Sequence, residues 1–124
     1  MSASADAERV RILVIEDEPV VAMGLAKLLD SLGFQPVGPV ASIDKALHVV
    51  ERGGFDGALL DVNLRGEWAA PVVERLAANN IPIVLTTGYD AGALPAPYCH
   101  HPTLSKPFRA AELTEALAGI QRRD

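Results

Sequence analysis

The run Gly57-Ala58-Leu59-Leu60-Asp61-Val62-Asn63-Leu64-Arg65-Gly66 decides how the rest of the chain is read. An apolar segment, Ala58 to Leu60, stops on a single acid. A small polar residue and then a glycine follow. This pattern predicts a buried strand that delivers Asp61 to its carboxyl end, where open α/β sheets gather their ligands. A lone acid in that position also serves as an ordinary turn or cap residue. Its meaning depends on what else reaches the same edge.

Upstream, Val10 to Ile15 is a second apolar run, ending in Glu16-Asp17-Glu18-Pro19. Pro19 suits the first turn of a helix, where its missing N–H costs nothing. Val21, Leu25, Leu28, Leu29 and Leu32 follow at helical spacing, and Gly33 stops the helix. Gly24 inside that helix is unfavourable by roughly 1 kcal/mol against Ala, and is expected to allow close packing on the sheet. Gln35 to Val40 carries Pro36 and Pro39, which places it on a sheet edge. Ser42 is the expected N-cap of a second helix, with Ile43, Ala46, Leu47 and Val50 inward, stopped at Gly53-Gly54.

Downstream of Asp61, a third helix is expected from Trp68 to Ala78, with Ala69, Val72, Val73 and Leu76 on one face and Trp68 as a packing residue. Ile81 to Leu85 is a further strand, running into Thr86-Thr87-Gly88-Tyr89. Asp90 to Pro102 holds too many breakers for more than one helical turn. Thr103 to Ser105 is a short strand ending at Lys106-Pro107, and a last helix is expected from Ala110 to Arg122, with Leu113, Leu117 and Ile120 inward. Five strands alternating with helices predict a parallel, doubly wound sheet with right-handed crossovers.

Parallel strands bring their carboxyl ends to one edge. Glu16, Asp17, Asp61, Thr87 and Lys106 should therefore converge there. Two carboxylates about 4 Å apart repel by roughly 4 kcal/mol at an effective dielectric near 20, so the acids need a raised pKa or a cation. An all-oxygen donor set suits Mg²⁺ or Mn²⁺ rather than zinc. Acids with a divalent cation, an ammonium and a hydroxyl form a site for a phosphoryl group, with Asp61 placed as an acyl-phosphate nucleophile.

Composition bounds the alternatives. The 124 residues fit one domain that can bury a core without staples. Sixteen acids against eleven bases give a net charge of −5, which argues against nucleic acid and a polybasic membrane contact. One cysteine, Cys99, fits a reducing cytosol, and Met1 to Arg9 form a small, polar tail without a signal sequence. Cys99-His100-His101 lacks the further ligands a soft-metal site needs. Arg65 and Glu67 flank the expected pocket as gate or as solvated loop, and Phe108 reads as core.

In order and spacing, Ile15-Glu16-Asp17-Glu18-Pro19, the strand into Asp61, Thr87-Gly88 and Lys106-Pro107-Phe108 resemble a bacterial response-regulator receiver domain of the chemotaxis-regulator type, over roughly Val10 to Gln121. The resemblance implies a flavodoxin-like (βα)5 fold with a shortened or irregular fourth helix. It implies phosphorylation of Asp61 by a histidine kinase or phosphotransfer protein. It implies Mg²⁺ held by Asp17, Asp61 and the Asn63 carbonyl, with Glu16 acting through water. Lys106 would pair with phosphoryl oxygens, and Thr87 would move to the phosphate as the switch. On this reading the protein is no enzyme beyond its own phosphorylation and dephosphorylation. The family's aromatic switch position is Thr103 here, and Leu85-Thr86-Thr87-Gly88-Tyr89 resembles the signature of the FAT GUY subgroup, which makes Tyr89 a second switch candidate. Residues 10–122 would be the receiver, with no output domain and an output made by contact with a downstream protein of unknown identity and in an open oligomeric state. The alternatives are a phosphate-independent or excised receiver, and an Mg²⁺-dependent aspartyl phosphotransferase or phosphatase. For the last, Asn63 stands where an acid/base carboxyl is commonly needed.

Overall fold

The computed structural model describes residues 9–88 and 94–123. The N-terminal tail up to residue 8 and Tyr89 lie outside the described residues. The elements run β1 (Arg11–Ile15), α1 (Pro19–Ser31), β2 (Gln35–Val40), α2 (Ile43–Arg52), β3 (Gly57–Asp61), β4 (Asn63–Leu64), β5 (Glu67–Trp68), α3 (Ala70–Ala78), β6 (Ile83–Thr87), a 3-10 turn at Tyr98–His100, β7 (Thr103–Ser105) and α4 (Ala110–Leu117). Five strands form one parallel sheet in the order β2-β1-β3-β6-β7. The order reverses beside β1 and β3, so their carboxyl ends flank the crevice of a doubly wound sheet.

The central strands are buried on both faces, and alternate residues feed two cores. Leu13, Ile15, Ala58, Leu60 and Leu85 point into one, with Ala46 and Val50 of α2 and Val72, Val73 and Leu76 of α3. Ile12, Val14, Leu59 and Val84 point into the other, with Leu25 and Leu29 of α1 and Leu113 and Leu117 of α4. Gly57 is fixed by this packing. A Cβ there would come within 2.8 Å of Ile120 Cδ1 and 3.2 Å of Ile120 Cγ2.

Several expectations hold. The proline-bearing β2 is an edge strand, and Ser42 caps α2 by accepting from the Lys45 N–H at 3.3 Å. Others need correction. Gly24 has nothing within 4 Å of a built Cβ, so close packing is not its role. The inward stripe of α1 is Ala22, Leu25 and Leu29, and Val21 is partly exposed. The third helix starts at Ala70 rather than Trp68, because Pro71 occupies its first turn and the Ala69 N–H is already donated to the Val62 carbonyl. Trp68 lies instead on β5, 47% exposed. The last helix stops at Leu117, although Ile120 stays buried as its spacing predicts. There the chain turns so that the Arg123 N–H reaches Asp56 Oδ1 at 2.6 Å.

Asp56 itself is fully buried at the amino edge of the sheet, opposite the site. It also accepts from the Arg11 backbone N–H and from Arg11 Nε and Nη2. Burial alone would raise its carboxyl pKa. The Arg11 side chain, then the Arg11 and Arg123 backbone N–H groups, outweigh it and hold the pKa at about 2.

Candidate phosphoryl and metal site

Each polar strand end reaches the carboxyl edge of the sheet. The parallel register sets Ile15 beside Leu60, Asp61 beside Thr86, and Thr87 beside Ser105. Lys106 is aligned by its own backbone N–H, which donates to the Thr87 carbonyl at 2.8 Å. Its Nζ then spans the edge, donating to Asp61 Oδ2 at 2.6 Å and to Glu16 Oε1 at 2.9 Å. These two carboxylates come from sequence positions 90 and 45 residues away from the lysine.

The second oxygen of each acid is also engaged. Glu16 Oε2 accepts from the Glu18 N–H at 3.1 Å, and Asp61 Oδ1 accepts from the Asn63 N–H at 2.9 Å. Asp17 Oδ2 accepts from the Arg65 N–H at 2.9 Å. Glu16 is 2% exposed, and burial pushes its carboxyl above the ordinary range, against the pull of Lys106 and the Glu18 N–H. Burial acts the same way on Asp17, but the Arg65 N–H, Glu16, the residue's own backbone N–H and the Lys106 charge together outweigh it, and the carboxyl sits below its usual value. For Lys106, burial is outweighed by Asp61 and Glu16, which raise the ammonium's pKa and keep it charged.

One oxygen from each of Glu16, Asp17 and Asp61 lies within 4.8 Å of the others. Three hard oxygen donors at that spacing fit a small divalent cation of the Mg²⁺ kind. Asn63 stands at the mouth of the site, and its side-chain oxygen accepts from the Gly66 N–H at 3.0 Å. Thr87 is fully buried at the end of β6. Cys99 Sγ and His100 Nε2 lie 4.0 Å apart, and neither residue joins a metal-ligand group among the described residues.

The hairpin β4–β5 was not expected from the sequence. Asn63 pairs with Trp68 and Leu64 with Glu67, around the two-residue turn Arg65-Gly66. Both turn residues have positive φ, 54° and 81°. Two-residue hairpins favour such turns, but usually announce them with Asn-Gly or Asp-Gly. The signal available was Gly66 between two short apolar-containing pairs.

The comparisons with known proteins meet this geometry directly. Residues 12–118 match the model of the response regulator receiver domain. The chain belongs to that family: it is a receiver domain with the flavodoxin-like fold, of the kind used in bacterial two-component signalling. Its relatives include the transcriptional regulatory protein TcrA of Mycobacterium tuberculosis, 34% identical over 126 residues, which cover 92% of this chain and 47% of TcrA. The chain spans about half the length of the curated relatives it matches. Among solved structures, SdrG from Sphingomonas melonis Fr1 is 45% identical, with a TM-score of 0.79 over 90% of this chain and 95% of that one. SdrG has also been solved in a BeF3-activated conformation, with a TM-score of 0.75 over 87% of this chain and 92% of that one. The receiver domain of the sensor histidine kinase PA1611 from Pseudomonas aeruginosa PAO1 is 28% identical, with a TM-score of 0.71 over 88% of this chain and 94% of that one. It holds a magnesium ion in its active-site cleft.

Proposed function

We propose that this receiver takes a phosphoryl group onto Asp61 from a phosphohistidine of a kinase or phosphotransfer protein, and signals by contact with a downstream protein in the cytoplasm. The observation that carries this reading is the bridge of Lys106 between Asp61 and Glu16, with Asp17 alongside. A partly buried lysine holding two acids at a sheet's carboxyl edge is poised to accept a third anionic group in their place.

In the transfer, one Asp61 carboxylate oxygen forms a bond to phosphorus as the donor's P–N bond breaks. The imidazole nitrogen leaves with that electron pair. Asp61 needs no proton removed, since its carboxylate is the nucleophile. Asp17, Asp61 and the Asn63 carbonyl would hold Mg²⁺, with Glu16 acting through water. When bound, the ion would neutralise charge on the phosphoryl oxygens. Lys106 would move from the Asp61 carboxylate to a phosphoryl oxygen, a contact of the same charge-assisted kind. Thr87 would turn its hydroxyl toward another. The phosphatase alternative is disfavoured by Asn63, whose side chain is committed to the Gly66 N–H rather than to acid–base work.

The test is intact mass after incubation with acetyl phosphate, with and without Mg²⁺, beside Asp61→Asn. The expected result is a Mg²⁺-dependent gain of one phosphoryl group, absent in the variant. An equal gain in Asp61→Asn would move the acceptor elsewhere.

A further inference from the structure

The residue at the family's aromatic switch position is Thr103, which is not aromatic, yet two aromatic rings do meet beside the site. Trp68 and Tyr98 lie with centroids 5.6 Å apart and planes tilted by 44°. Their positions in the chain give the pair its interest. Trp68 is the direct cross-strand partner of Asn63. Asn63 in turn donates its N–H to Asp61 Oδ1. The same hairpin is held from its other side by Asp17, which accepts the Arg65 N–H at the turn. Two of the three acids thus grip the β4–β5 hairpin through backbone N–H groups, and the far strand of that hairpin carries Trp68.

Tyr98 lies at the other end of this path. It starts the 3-10 turn between β6 and β7, and is 3% exposed. Its hydroxyl is buried with no hydrogen-bond partner among the described residues, lying against the Ala70 backbone without a bond of ordinary geometry. Burial pushes its pKa up. A buried hydroxyl without a well-formed hydrogen bond is costly, and the ring's packing, with Trp68 against it, is what the described residues supply to hold it.

We propose that the Trp68–Tyr98 pair is the relay by which the state of Asp61 reaches the segment from residue 94 to 101. Occupation of Asp61 and Asp17 changes what accepts the Asn63 and Arg65 N–H groups. The hairpin follows, Trp68 moves against Tyr98, and the 3-10 turn reorganises. Trp68 is a positioning residue in this scheme, and it touches no reacting atom. The relay rests on the reading of Asp61 as the phosphoryl acceptor.

Hydrogen exchange read by mass spectrometry tests it, with Mg²⁺ and beryllofluoride as the phosphoryl mimic and ¹⁹F NMR to verify loading. The reporters are the Cys99, His100 and His101 amides, which donate to the carbonyls of Pro95, Pro97 and Tyr98. In the wild type, loading should shift their exchange. Trp68→Ala should load equally and lose that shift, and Trp68→Phe, which keeps a ring against Tyr98, should restore it. Trp68 is half exposed, so the alanine variant should fold. A full shift in loaded Trp68→Ala, or none in the loaded wild type, would overturn the relay alone. Failure of the wild type to load would overturn the reading of Asp61 and the relay with it.

Discussion

Lys106 holds Glu16 and Asp61 together by standing between them, and its removal isolates two effects. In Lys106→Ala the acids lose a resident cation that competes for the same oxygens. Mg²⁺ affinity, followed by titration of Trp68 fluorescence, should be retained or increased, whereas phosphoryl loading should no longer drive the conformational change. A tenfold or greater loss of Mg²⁺ affinity would contradict the bridging role. Asp56 offers a second experiment at this scale. Its folded pKa is depressed to about 2 from an ordinary 3.8. The stabilisation it brings is therefore present above the unfolded value, and disappears as pH falls from about 4 toward about 2. The amount is about 2 kcal/mol, from the size of the shift. Urea midpoints measured from pH 5 downward should show this loss in the wild type. In Asp56→Asn the acid limb should be flatter, from a starting stability lower by roughly 3 kcal/mol.

At the level of elements, Gly24 and Gly57 predict opposite outcomes for one substitution. Gly24 is an exposed helical position with open space around it. Gly24→Ala should stabilise by about 0.5–1 kcal/mol, seen as a higher denaturant midpoint at unchanged slope. Gly57 sits in β3 against Ile120, and Gly57→Ala should destabilise by about 1–3 kcal/mol. Ile120→Val removes the Cδ1 atom that the new methyl would strike. A double-mutant cycle should therefore show the Gly57→Ala cost shrinking in that background. The contrast also shows what was legible beforehand. The strands could be read because a buried parallel strand is a short apolar run with a polar end, and Ile15-Glu16, Leu60-Asp61 and Leu85-Thr86 all have that form. Their shared edge followed from the topology alone. The β4–β5 hairpin could not be read, since strands of two residues have no periodicity and Arg-Gly is a weak turn signal. Nor could the atomic assignments, such as Lys106 reaching Glu16 as well as Asp61. Those depend on the stagger between strands, which the spacing of residues along the chain does not encode.

For the whole molecule, the sheet has a chemical edge and a structural edge. The acids, Lys106 and Thr87 occupy the carboxyl ends of the strands, and the Arg11–Asp56–Arg123 clasp occupies the amino ends. Damage at the clasp should therefore cost stability without changing phosphoryl loading per folded molecule. The clasp also joins residues 11, 56 and 123 at one point, and Arg122 donates to the Arg9 carbonyl at 3.4 Å. Residues 9 to 123 are in effect already a ring with a small gap. Closing that gap with a short linker between residues 9 and 123 adds little loop entropy, and new ends can open at the exposed Gly53-Gly54 turn. Such a circular permutant is expected to fold to the same sheet and load Asp61 as the parent does. Cargo fused at residue 9 or residue 123 would likewise ride at the pole of the molecule facing away from its chemistry.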